Sequence, residues 1–371
     1  MHLVGGYIRD LLRGINSRDR DFIIRNNRES FVRDLKKILG GKAIQFKRGN
    51  TIRIAVKKEI TFDFSDMAGT LFEDLSKRDF TINAMAWSPE DGLIDFFHGV
   101  NDLNKHIVRA ISKENMLADP LRILRTYRFA AEIKGKIEIK TRNMVKMFSH
   151  TIKGISSERI TLEMFHLLNS EHASKYLKLA LTDGLLNNIL LITYKELHSN
   201  IKSIAQREKG IFDDLPKKIK VRLNKLFSQN LTYKGLLCLE ILIKSGTKVD
   251  NFHPLIKLSN MIKRRIQLVH KALERFSVEN PDLFSIFLIA QEASIDALII
   301  SNRVDLLREY HRFRRIWKGG FLSSEAIKQI SGIEEGARLG EIILKVKREE
   351  YEGNIRTKAQ AIRYLTSATI P

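Results

Sequence analysis

The spacing of apolar and polar positions divides the chain near Asp119. Before that point apolar residues fall in short runs. Leu3-Val4 is a brief apolar start, turned by Gly5-Gly6, and Tyr7 to Arg13 predicts a short helix. Phe22-Ile23-Ile24, β-branched and aromatic, predicts a strand. Ile52 to Val56 and Ile60 to Phe64 alternate apolar with polar, and the polar Lys57-Lys58-Glu59 between them predicts a hairpin turn. Leu93 to Phe97 predicts a further strand. Beyond Asp119 the period changes. Long segments such as Leu236 to Ile243 and Leu283 to Ile300 carry helical apolar spacing, so residues 119–371 are expected to be almost wholly helical, with breaks at Gly210 and Ser245-Gly246. There is no fixed-period repeat and no low-complexity stretch.

Composition narrows the class. A chain of 371 residues has room for two or three domains, and 43% hydrophobic residues is ordinary for a soluble core. No run approaches the ~18 uncharged apolar residues of a membrane span. Met1-His2-Leu3-Val4-Gly5 lacks the basic region and apolar core of a signal peptide. Cys238 is the only cysteine, which excludes an intramolecular disulfide and a cysteine-rich zinc site and fits a cytoplasmic protein. Net charge is +21. Residues 201–371 hold 31 Lys+Arg against 19 Asp+Glu, a net of +12, and residues 1–200 carry the remaining +9. An excess spread in this way suits a long polyanion lying across several domains as well as it suits a solvated basic surface.

Three constellations carry chemistry. The first is Gly5-Gly6-x-x-Arg9-Asp10 followed by Asp19-x-Asp21 entering the Phe22 strand. Two residues apart on a strand, Asp19 and Asp21 share a face, and the repulsion between their carboxylates is relieved by a divalent cation that prefers oxygen, such as Mg²⁺. Two metals held there can activate a hydroxyl and stabilise a leaving pyrophosphate. Gly5-Gly6 has no side chains to keep phosphates from its backbone N–H groups, and Arg9 can neutralise them. A plain turn and a solvated acidic loop is the ordinary alternative. The second constellation runs Arg78-Asp79-Phe80-Thr81-Ile82-Asn83-Ala84-Met85-Ala86. Arg78 can hold phosphate and Asp79 can accept from ribose hydroxyls. The alternative is a salt bridge at a helix N-terminus, with Asn83 satisfied by backbone. The third is Asp119-Pro120-Leu121-Arg122-x-x-Arg125-x-x-Arg128. Asp before Pro is a helix cap, but capping does not explain arginines at spacing three. A carboxylate beside a guanidinium matches the amino group and ring acceptor of C and A, and opposes the carbonyl of U and G.

These segments together resemble the class II tRNA nucleotidyltransferase (CCA-adding enzyme) and bacterial poly(A) polymerase family. The likeness runs from Leu3-Val4-Gly5-Gly6-x-x-Arg9-Asp10 and Asp19-x-Asp21 through Arg78 to Ala86. It continues through Leu93-Ile94-Asp95, Gly99, Asp102-Leu103, Ile107-x-Arg109 and Asp119-Pro120-Leu121-Arg122, and reaches Glu158-Arg159-Ile160-x-x-Glu163. It implies an α+β protein: a polymerase-β-like nucleotidyltransferase head with a mixed sheet (1–112), then an all-helical neck (113–200), body (201–300) and tRNA-binding tail (301–371). It implies two Mg²⁺ ions on Asp19 and Asp21, with Asp63 either a third active-site carboxylate or a polar residue on the sheet's open face. Gly5, Gly6, Arg9, Arg78, Asp79 and Asn83 match positions handling triphosphate and ribose. Asp119 and Arg122 match the base-reading pair, with Arg125 a weaker member, and Arg159 and Glu163 are expected to brace the neck. The implied partners are tRNA, CTP and ATP, with no membrane and no obligatory protein partner.

The chain departs from the family in places. Ala118 stands where the family usually carries Glu, so base selection is expected to be looser or braced otherwise. Lys77 replaces a frequent Arg. Only 15 residues separate Asp63 from Asp79. In the family a flexible loop there is thought to assist the switch from C to A, and a short one resembles members that add only two C residues. A poly(A) polymerase or an A-adding enzyme would share every motif. A non-catalytic relative would have lost Asp19 or Asp21. The missing His-Asp dipeptide argues against an appended phosphohydrolase, and Gly5-Gly6 lacks the spaced glycines of a Rossmann fold.

Overall fold

The structure is a computed structural model describing residues 1–46, 51–56, 60–244 and 255–368. The predicted turn at Lys57-Lys58-Glu59 and the predicted break at Ser245-Gly246 lie outside the described residues. Seven strands, His2–Val4 (β1), Asp19–Ile24 (β2), Lys42–Phe46 (β3), Thr51–Val56 (β4), Ile60–Asp66 (β5), Ala86–Ser88 (β6) and Gly92–Ile94 (β7), form a mixed sheet in the order β3-β4-β5-β2-β1-β6-β7. β2 and β5 pair in parallel, placing Asp21 beside Asp63, and the other neighbours are antiparallel.

Strand alternation gives this sheet two different faces. Phe22 and Ile24 of β2, Ile52 and Ile54 of β4, and Phe62 and Phe64 of β5 gather with Val32 and Leu35 of the helix Arg28–Leu39. Burying each such side chain contributes about 1.5–3 kcal/mol, so this face fixes the register. The opposite parity, Asp19 and Asp21 on β2, Asp63 on β5 and Arg53 on β4, is left for polar chemistry.

The helices are Gly6–Leu12 (α1), Arg28–Leu39 (α2), Leu71–Ser76 (α3), Gly99–Asn104 (α4), Lys113–Ala118 (α5), Leu121–Glu132 (α6), Ile139–Phe148 (α7), Ser157–Leu168 (α8), and others beyond. Thr70 and Glu73 close a capping box at the start of α3. α6 packs against α8. The described residues divide into two compact units. One holds the sheet and α1–α8 and is built from Met1–Ala205 with Asn224–Cys238; the other is drawn mainly from Gln206–Leu223 and from Leu258 onward. No helix among the described residues is long and apolar enough to cross a membrane.

Several expectations are corrected. The strand at Leu93 stops at Ile94, because the Asp95 carboxylate accepts from the amides of Gly99 (2.7 Å) and Val100 (2.9 Å) and starts α4 instead. Leu283 to Ile300 is two helices, Leu283–Ala290 and Ala293–Ile300, parted where Gln291 takes φ 50°. Gly210 does not break its helix; it sits in a π-helical turn, Arg207–Ile211, between Tyr194–Gln206 and Phe212–Asp214. Short strands also interrupt the helical part, Lys136–Ile137 and the pair Leu226–Ser228 with Leu231–Thr232.

Candidate active site

The polar face of the sheet opens into a cavity of about 720 Å³ lined by Gly6, Asp19, Asp21, Arg78, Asp79, Asn83, Asp119, Arg122 and Arg125, among others. All three constellations meet there, although Asp19 and Arg125 stand 106 residues apart in the chain. Asp19 is exposed and accepts from the Thr61 hydroxyl, while Asp21 is half-buried. Burial is the main cause pushing the Asp21 carboxyl above its ordinary value; Arg78 opposes the rise, and Asp63 and Asp19 add to it. Asp63 lies next to Asp21 on the same face, but its carboxylate takes a two-pronged bond from Arg53, Nε at 2.7 Å and Nη2 at 2.6 Å. Among the described residues no group of three His, Cys, Asp or Glu side chains is placed to hold a metal.

Gly5 sits at φ 78°, and a Cβ there would lie 2.5 Å from Arg78 Nη1. The glycine is therefore needed both for its backbone and to admit the Arg78 guanidinium beside Asp21. Its N–H donates to the Met85 carbonyl at 3.1 Å, so of the Gly5-Gly6 pair only Gly6, the first residue of α1, keeps an amide free of that bond. Arg78 follows α3 and does not start a helix, and its nearest acid is Asp74 at 3.6 Å.

Arg9 is almost fully buried and bonded on every side: to Asp10 (2.8 Å), to Asn83 Oδ1 (2.6 Å) and to Glu132 (2.7 Å). Asn83 is not satisfied by backbone; it bridges Arg9 to Asp79 Oδ1, donating through Nδ2 at 2.9 Å. Asp79 also accepts from the Phe80 amide at 2.8 Å and from Arg125 at 2.6 Å. Burial works against its charge, yet Arg125, Asn83 and Phe80 together hold the carboxyl below its ordinary value.

α6 supplies the other wall. Asp119 stands one residue before its Pro120 cap, accepting from the Leu121 amide at 3.3 Å, and its second oxygen accepts from Arg159 of α8 at 2.7 Å. Arg122 donates to the main-chain carbonyls of Lys77 (2.9 Å), Asn115 (3.1 Å) and Arg78 (3.5 Å), and burial draws its guanidinium below the ordinary value. Arg159 and Glu163 do not pair along their own helix. Glu163 instead meets Arg125 (3.4 Å) and Arg128 (2.9 Å), so α8 braces α6 from outside. Ala118 is exposed, and the bracing of Asp119 comes from Arg159.

Among the wall residues, Glu132 and His166 were not singled out from the sequence, and Arg128 figured there only as the end of the arginine run. Their spacing was the available signal: Glu132 lies four and seven residues beyond Arg128 and Arg125, and His166 three beyond Glu163. His166 is drawn below its ordinary value by burial and then by Arg128. The guanidiniums of Arg9, Arg125 and Arg128 all stand over the Phe129 ring, at 4.9, 5.1 and 3.9 Å.

A mixed sheet with paired carboxylates on its polar face, opposed by arginines suited to phosphate, defines a nucleotidyltransferase-type head carried on helices. Residues 62–109 match the family described as poly A polymerase head domain, and residues 136–200 match the probable RNA and SrmB-binding site of polymerase A. A CC-adding tRNA nucleotidyltransferase from Geobacter sulfurreducens is 28% identical over 98% of this chain and 90% of that one. A CCA-adding enzyme from Ligilactobacillus salivarius is 24% identical over 95% and 89%. The solved Thermotoga maritima CCA-adding enzyme complexed with tRNA shares the fold at TM-score 0.75 and 21% identity, covering 100% of this chain and 91% of that one. In these two segments and along the relatives named, the chain is similar to the class II tRNA nucleotidyltransferase and bacterial poly(A) polymerase family.

Proposed function

We propose that this chain adds nucleotides from CTP and ATP to the 3′ end of tRNA without a template, releasing pyrophosphate. The observation that carries the reading is one cavity lined both by Asp19, Asp21 and Arg78 and by Asp119 and Arg122, which this reading assigns to its phosphate and base ends. One end suits a triphosphate, the other a base, and no further base need be supplied by a template strand.

The donor set fits Mg²⁺. That ion is ordinarily held by one or two carboxylates together with substrate phosphates, and the burial and crowding of Asp21 beside Asp19 and Asp63 favour a cation. Asp19 and Asp21 would hold two ions, which supply charge neutralisation at the attacking and leaving oxygens. Arg78 neutralises the triphosphate, with Gly5 leaving room for it. Asp79, held ionised by Arg125, faces the ribose, while Arg9 and Asn83 keep Asp79 and α1 in place. Asp63, neutralised by Arg53, supports Asp21 from the next strand. Asp119 accepts from the amino group of C or A, and Arg122 donates to the neighbouring ring acceptor. The protein thus contributes position and charge, with no side-chain nucleophile. The division into head, neck, body and tail at 112, 200 and 300 goes with this reading, as does tRNA binding by the tail.

Of the two products, CC addition is favoured over CCA by the segment after β5. Its residues run directly into the Thr70–Glu73 capping box and α3, leaving little chain for a mobile lever. The test is addition with Mg²⁺ to a tRNA lacking its 3′ CCA, given CTP, ATP or both, with products resolved at single-nucleotide length. Two C residues and a stop are expected. Three additions ending in A would replace the CC reading by CCA, a long A tract would make the protein a poly(A) polymerase, and no addition would overturn the function.

A further inference from the structure

The last carbonyls of a helix lack partners within it, and something else must satisfy them. α3 ends at Ser76, and the carbonyls of Ser76, Lys77 and Arg78 emerge at its C-terminal end. Two residues from a different part of the chain take them. The Asn115 side-chain amide donates to Ser76 O at 2.7 Å and Arg78 O at 2.8 Å. Arg122 donates to Lys77 O at 2.9 Å and Arg78 O at 3.5 Å. Asn115 is itself tied to Arg122, whose Nη1 donates to the Asn115 carbonyl at 3.1 Å. Asn115 is fixed on α5 by the Ser112 hydroxyl, which accepts its backbone N–H at 3.0 Å.

We infer that Asn115 is a positioning residue that keys the base end of the cavity to its phosphate end. The same turn that it grips carries Arg78, whose guanidinium rests against Gly5 beside Asp21. The same residue's carbonyl holds Arg122. A guanidinium has five N–H donors, and the carbonyls take three of Arg122's bonds, leaving Nε–H and one Nη2–H for a base edge. The direction in which that remaining edge points is therefore set relative to Arg78 through Asn115, which does not itself line the cavity. Selection of C and A over U and G depends on where the base edge falls once the triphosphate is seated. Asn115 sets that distance.

This inference rests on the proposed function, and the experiment separates the two. Asn115→Asp keeps the shape but replaces the NH2 group and its two N–H donors with one oxygen facing two carbonyls, while Asn115→Ala removes the amide and leaves the main-chain carbonyl for Arg122. Both are compared with the unaltered protein for kcat and KM with CTP, ATP, UTP and GTP on tRNA, alongside thermal unfolding. Asn115→Asp is expected to raise KM for CTP about tenfold and to cut the preference for CTP over UTP by about tenfold, the size of one displaced hydrogen-bonding pair. Asn115→Ala is expected to do the same more weakly. Unchanged preference in both variants overturns the inference, whether or not unfolding shifts, and so does a fall in kcat alone. If a variant is inactive, equilibrium binding of CTP and UTP decides: equal weakening of both overturns it, and selective loss of CTP binding supports it. Failure of the unaltered protein to extend tRNA would instead overturn the proposed function.

Discussion

At the residue scale, chemistry and support are carried by different side chains of similar type. Asp21 and Asp79 are both carboxylates in one cavity, yet burial raises the first while the second is held low by Arg125, Asn83 and the Phe80 amide. Asp79 is an anion already matched, whereas Asp21 is half-buried and crowded by Asp63 and Asp19. Asp21→Ala is therefore expected to lower addition by about 10³-fold, the loss of several kcal/mol of charge stabilisation, while leaving tRNA affinity within about twofold. Addition assays and filter binding read the two effects, and near-normal turnover would remove Asp21 from the site. Arg9 and Arg78 diverge in the same way. Both precede a motif aspartate in sequence and both line the cavity, but Arg9 is enclosed by Asp10, Asn83 and Glu132 whereas the acid paired with Arg78 is Asp74 at 3.6 Å. Sequence supplied the residue types; it did not supply the partners.

At the element scale, helices are held by carboxylates and guanidiniums that reach across from neighbours. α8 braces α6 through Arg159 and Glu163, and the orphan carbonyls of α3 are taken up by α5 and α6. The helix Tyr233–Leu242 offers a contrasting case in Glu240, which is fully buried with neither carboxylate oxygen hydrogen-bonded. It faces Asp296, Arg265 and Arg222. Burial, with Asp296 adding to it, raises the Glu240 carboxyl well above its ordinary value, against the pull of Arg265 and Arg222. The sign follows from linkage. The folded protein holds this proton more tightly than the unfolded chain, so the stability it confers is present below the unfolded value near 4.5 and is lost as pH rises through the raised folded value. Glu240→Gln is expected to flatten that fall and to stabilise the protein at neutral pH, measured by urea unfolding from pH 5 to 8. A variant less stable than the parent at pH 7 would show that the charge is held as an ion pair.

At the scale of the whole molecule, charge is the legible quantity. The net +21 is divided between the halves of the chain, +9 and +12, and is not gathered in a tail. Binding to tRNA by many phosphate contacts releases condensed counterions, so affinity is expected to fall steeply and linearly in log–log with salt, losing about 10³-fold or more between 50 and 200 mM if six or more phosphates are met. Titration of labelled tRNA at several salt concentrations measures the slope. A flat profile would mean that this charge is only a solvated surface.

Much of this was written in the chain itself. The order of the motifs, the parity that puts Asp19 and Asp21 on one face, the alternation of β4 and β5, and the change from strand to helical period all follow from local spacing, because side-chain direction in a strand or helix depends only on neighbouring residues. The short helix after Gly5-Gly6 was legible for the same reason. The tertiary structure alone decided the rest. It turned Asp63 toward Arg53, gave the Gly5 amide to Met85, ended the Leu93 strand at Asp95 and placed a left-handed residue at Gln291 where no glycine or proline announced it. It also brought Asn115 beneath Arg78 and Arg122, from 37 and 7 residues away. Hydrogen-bond partners and burial are set by residues distant in sequence, and a carboxylate or guanidinium becomes ligand, reader or brace only once those neighbours are in place.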